Sequence, residues 1–252
     1  MENKVHVLRQ LLRQRWRLAN WVVLVYLAAV VITCVWITIV DGFIKEAVLG
    51  VTMGYGFFAG CALFILLAID QEHVWVGSRY RLAPVADTKL YILNVLASFL
   101  GFLYGAIIGT AVMGISAIPY LNRVFSLPHT VMFVVSGGFL LMSVCLYSWI
   151  FISMVHLVGA TISAFLPPMR QKIVTFVFYV LVIILVIVVL NGFENGIEEI
   201  LPNYTLSFSH VNAIKDAVPA FFAGGAILLL QAALYSVVNV LMLHNWVETK
   251  QA

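Results

Sequence analysis

Residues 18–40 read LANWVVLVYLAAVVITCVWITIV and contain no Asp, Glu, Lys or Arg. At 1.5 Å per helical residue this run is about 35 Å long, enough to cross a hydrocarbon core of about 30 Å. Five further charge-free windows of span length follow, at 47–69, 90–122, 124–169, 173–193 and 217–247. The third and fourth windows exceed what one span needs, so those helices are expected to tilt or project beyond the bilayer. The fourth also admits a second reading, one helix over about 131–158 plus a short interfacial segment ending at Pro167-Pro168. The fold class predicted is an all-α membrane protein with six transmembrane helices over 18–247, preceded by a segment 1–17 and followed by a tail 248–252.

Composition agrees. Of 252 residues 63% are hydrophobic and 10% charged, which leaves too little charged surface for a water-soluble domain. Orientation follows from the basic residues. With the N-terminus inside, the inner segments carry Lys4, Arg9, Arg13, Arg15, Arg17, Arg79, Arg81, Lys89, Arg170, Lys172 and Lys250, and the outer ones only Lys45, Arg123 and Lys215. The positive-inside rule therefore predicts both termini in the cytoplasm. The first apolar run is too long for a secretory leader and no small-residue cleavage pattern follows it, so it reads as a retained span.

Residues 2–17 are too polar to span. Val5, Leu8, Leu11, Leu12 and Trp16 share one helical face, while Arg9, Arg13 and Arg17 form a stripe four residues apart. That pattern predicts an amphipathic helix in the cytoplasmic headgroup layer, with membrane lipids as its partner. Within the spans, Gly50, Gly54, Gly56 and Gly60 form one small-residue series, and Gly101, Gly105 and Gly109 another. Small residues four apart let helix backbones approach closely.

Several functions are disfavoured. Ion-coupled carriers need ionisable groups at depth, and no Asp, Glu, Lys or Arg falls in the middle of a window. The deepest polar groups, such as Thr52, Asn94, Ser98, Ser143, His156, Gln231 and Asn239, are expected to bond a neighbouring helix or a carbonyl one turn back. The chain has no G-x-x-x-x-G-K-[ST] phosphate loop, no H-E-x-x-H, no paired C-x-x-C and no G-x-S-x-G. Cys34, Cys61 and Cys145 read as small apolar residues, and Glu198-Glu199 as a solvated acidic face. No catalytic residue, metal or cofactor is expected in this chain, and no nucleic-acid partner.

Three regions outside the spans remain. The inner loop 70–89 contains Arg79-Tyr80-Arg81-Leu82-Ala83-Pro84-Val85, a mix of basic, aromatic and apolar residues that suits either docking against a protein or immersion in headgroups. Asp87 or Thr88 is placed to cap the third span. A second inner turn runs Pro167 to Lys172, and an outer segment over 191–218, punctuated by Pro202 and Pro219, has the pattern of short helices dipping into the outer leaflet.

This layout resembles the ABC-2-type permeases of bacterial ATP-binding-cassette exporters. Arg81-Leu82-Ala83-Pro84-Val85, followed by Lys89-Leu90-Tyr91, is similar to the R-L-x-P-V … K-L-Y passage of many Gram-positive members. The resemblance implies that Arg79, Tyr80, Arg81, Leu82, Pro84 and Val85 form the main contact with an ATPase subunit, and Arg170 and Lys172 a second. It also implies a bacterial plasma-membrane location, a second permease copy or paralogue, and ATP and Mg held by the separate ATPase subunits. The substrate expected behind a charge-free interior is an amphipathic peptide or lipid-like molecule. The alternative is a non-transporting immunity or assembly protein that binds a partner in the bilayer.

Overall fold

The computed structural model describes residues 2–42, 44–76, 86–120, 129–165 and 214–244, together with positions 176, 177, 180 and 184. Among these every element is helical: α1 (Glu2–Asp41), α2 (Lys45–Val76), α3 (Asp87–Ala117) with a 3-10 turn at Ile118–Tyr120, α4 (Thr130–Phe165) and α5 (Ile214–Met242). All five α-helices are long and apolar enough to cross a membrane. The expected fifth span at 173–193 lies outside the described residues apart from four helical positions, as do the loop 77–85, the turn 166–175 and most of the outer segment.

The helix ends follow local chemistry. α1 closes at Gly42, whose φ of +82° is the left-handed conformation that ends a helix and that a side chain would disfavour. The expected cap of the third span is corrected. Ala86 takes the N-cap position with extended backbone and no side-chain cap, and its carbonyl accepts from the Lys89 and Leu90 amides at 2.9 and 3.0 Å. Asp87 falls in the first turn instead, where its negative charge suits the positive end of the helix dipole. The start of the last span is likewise corrected. Pro219, already within the window 217–247, lies inside α5, but the helix opens earlier, at Ile214, and takes in Lys215 and Asp216 from the expected outer segment.

The chain forms two compact units, residues 1–127 and 128–252. In the first, α1, α2 and α3 each pack on the other two. α1 buries Leu11, Arg15, Ala19, Tyr26 and Val30, a stripe spaced four or seven residues apart, one or two helical turns. The segment 1–17 and the span 18–40 are one helix of 40 residues with no break between them. Away from that stripe, Trp21, Val31, Ile32, Ile39, Phe57 and Phe58 are each more than half exposed, an outward apolar surface that suits hydrocarbon as solvent.

In the second unit α4 and α5 pack along each other. Glycines set their separation. A Cβ on Gly225 would lie 2.6 Å from the Phe139 ring, and one on Gly224 3.6 Å from Leu140. Aromatic pairs line the same seam, including Phe133 with Phe221 at 5.4 Å and Tyr147 with Tyr235 at 5.9 Å. The Asn239 amide crosses it, donating to the Ile150 carbonyl at 3.1 Å.

Candidate functional site: a buried polar node at the foot of the 77–85 loop

α1, α2 and α3 meet around one cation. Arg15 is 1% exposed, held there because Leu11 and Ala19, one turn to either side, are fully buried on the same face. An arginine cannot shed its proton under ordinary conditions, so a buried guanidinium must be matched by charge and acceptors. α2 supplies the charge: Asp70 pairs with Arg15 through Oδ2. Its other oxygen, Oδ1, accepts from Gln14 Nε2 at 2.6 Å. α3 supplies Asn94, fully buried, whose Oδ1 accepts from Arg15 Nη2 at 2.8 Å. The Asn94 amide then donates to the Gln71 carbonyl on α2 at 3.0 Å, closing the triangle of helices.

Space for the arginine comes from a glycine. A Cβ on Gly101 would stand 3.1 Å from the Arg15 Cβ and 3.6 Å from Leu67, so α3 approaches α1 closely only where its side chain is a hydrogen. One turn on, a Cβ on Gly105 would overlap Leu63 of α2. Gly109 has nothing within 4 Å among the described residues. Further polar contacts continue along the unit. Tyr104 donates to Asn20 at 2.7 Å, and Tyr26 to the Thr52 carbonyl at 3.2 Å, while the Thr52 and Ser116 hydroxyls are 2.8 Å apart.

The node's place in the chain gives it mechanical meaning. Asp70 is six residues from the end of α2 and Asn94 seven from the start of α3, about 9 and 10 Å along each helix. The two helices that bracket residues 77–85 are thus both tied to α1 close to that loop. No nucleophile–base pair sits in the node, and among the described residues no group of three His, Cys, Asp or Glu could hold a metal ion. Its chemistry is structural: an ion pair and hydrogen bonds among Gln14, Arg15, Asp70, Asn94 and Gln71 tie three helices to each other.

The sequence-derived docking residues Arg79, Tyr80, Arg81, Leu82, Pro84, Val85, Arg170 and Lys172 all lie outside the described residues. No protein-family model, curated protein or solved structure matches the chain.

The sequence places Arg15 among several inner cations and expects Asn94 to bond a neighbouring helix or a carbonyl one turn back; the structure has Asn94 bonded to two neighbouring helices and Arg15 buried. The signal that separates Arg15 was present: it stands off the Arg9–Arg13–Arg17 stripe and in register with Leu11 and Ala19. Its partners could not be read, because Asp70 and Asn94 are distant from it in sequence and nothing local pairs them with position 15. The glycine pairs 137–138 and 224–225 were also passed over, although paired glycines in apolar runs mark close helix approach.

Proposed function

We propose that the chain is the permease subunit of an ATP-binding-cassette exporter in a bacterial plasma membrane, energised by a separate ATPase and moving an amphipathic peptide or lipid-like substrate. The observation that carries this reading is the Arg15–Asp70–Asn94 node beside the loop 77–85. A bundle driven from outside needs a point where a push on a loop reaches several helices together. The node supplies such a point, because displacing the ends of α2 and α3 displaces α1 with them. The five long apolar helices and the R-L-x-P-V … K-L-Y likeness support the same reading.

In this mechanism, closure of an ATPase dimer presses on Arg79–Val85, and the first unit tips as a body between two arrangements. The ATPase dimer implies a second permease copy or paralogue beside this one. ATP and Mg act in the ATPase, and this chain contributes the contact, the joint and the apolar path.

Charge reversal at the loop tests the proposal. Arg79→Glu/Arg81→Glu should reduce the amount of ATPase recovered with an affinity-tagged chain by tenfold or more, and abolish ATP-dependent export, with total membrane insertion unchanged. An undiminished complex and undiminished export would remove the docking role, and a chain that never recovers an ATPase would favour a partner-binding immunity or assembly protein.

A further inference from the structure

The outward face of α1 is built unlike its inward face. Arg9, Arg13 and Arg17 are all exposed, and among the described residues no carboxylate lies within ion-pair distance of any of them. Trp16, Asn20, Trp21 and Leu24 share this open face of α1 with them. Part of this face is held in place by α3: Trp16 packs edge-on against Tyr104 with ring centroids 5.1 Å apart, and the Tyr104 hydroxyl donates to Asn20. Like charges four residues apart repel one another, and an anion lying along the stripe relieves that repulsion.

Geometry says which anion. If residues 18–40 fill the hydrocarbon core, then Arg17 to Arg9 occupy the next 12 Å or so along the helix, a length that passes through the headgroup layer. Trp16 and Trp21 then stand at the interface, where indole rings prefer to sit, and Leu24, 58% exposed, continues the same face among acyl chains. A guanidinium binds phosphate oxygens through paired N–H donors, which makes three of them in a row a better match for phosphodiesters than for water.

We propose that this face is a binding site for the headgroups of anionic phospholipids, with Arg9, Arg13 and Arg17 on the phosphates and Trp16 and Trp21 against the glycerol and upper acyl region. The site concerns the bilayer around α1 and is independent of whether an ATPase docks at 77–85.

The test is lipid retention by the full chain purified in mild detergent, read by native mass spectrometry after exchange into mixed micelles of phosphatidylglycerol and phosphatidylcholine. The expected result is a strong preference for phosphatidylglycerol that falls as salt rises. Each arginine is expected to contribute about fivefold, so Arg9→Gln/Arg13→Gln/Arg17→Gln should abolish most of it. An unchanged helical circular-dichroism spectrum and a single elution peak mark that variant as folded. Should it not fold, Arg13→Gln alone should lose about fivefold. Equal retention of the two lipids by the unaltered chain would overturn the proposal, and so would a preference that survives the substitutions. Displacement of the lipid by millimolar inorganic phosphate would indicate a free-phosphate site instead. An acidic protein lost with the same substitutions, while lipid selectivity stays constant, would make the face a protein interface. Arg79→Glu/Arg81→Glu should leave the lipid preference untouched, which separates failure here from failure of the exporter reading.

Discussion

Arg15 and Arg13 stand two positions apart on one helix and have opposite fates: the first is fully buried on Asp70 and Asn94, the second exposed. Burial makes the first pair sensitive to asymmetry. Asp70→Ala leaves a guanidinium in a space built for an ion pair and should cost about 3–5 kcal/mol, read as a fall in thermal stability in detergent. Arg15→Met/Asp70→Leu removes both charges and should cost less than the two single substitutions added together. Additive losses would show that the two side chains act separately. Asn94→Ala should cost about 1–3 kcal/mol, since it strips an acceptor from Arg15 and a donor from the Gln71 carbonyl. Both faces of this contrast leave a trace in the helical periodicity, but the partners of the buried cation do not. Periodicity assigns Arg9, Arg13 and Arg17 to a face, but a long-range acid–base match between 15 and 70 leaves no local pattern.

At the scale of the element, five of the six charge-free windows coincide with the described helices but miss their ends. Lys45 and Glu46 open α2, and Lys215 and Asp216 lie within α5, because a helix continues past the hydrocarbon into a region where charge is tolerated. The same reasoning explains why α1 runs through the 17/18 boundary: composition changes there, while helix propensity does not. Helix contacts were partly legible. Gly101 and Gly105 face neighbours and Gly109 does not, a difference that depends on how α3 is rotated and not on residue type. A substitution should read that rotation out. Gly225→Leu in the second unit drives a side chain into the Phe139 ring and should lower the melting temperature clearly, whereas Gly109→Leu meets open space within its unit and should change it little. Equal effects at the two sites would contradict the packing described here.

For the whole molecule, the described helices are long and apolar enough to cross a membrane and are joined by polar bonds, and the buried Arg15–Asp70 pair lies nearer the end of α2 than its middle. The alternation of apolar windows with charged segments is already visible in the sequence. What a sequence cannot carry is the link among α1, α2 and α3 through Arg15, Asp70 and Asn94, which arises only from the fold. The measurement that bears most directly on the proposed function is affinity purification of the tagged, unaltered chain from its native membrane in mild detergent, with every co-purifying subunit identified and quantified. The exporter account predicts a protein carrying a G-x-x-x-x-G-K-[ST] phosphate loop in about one-to-one ratio with the permease chains. A chain recovered at high yield with no phosphate-loop protein, from membranes where such proteins are abundant, would contradict it.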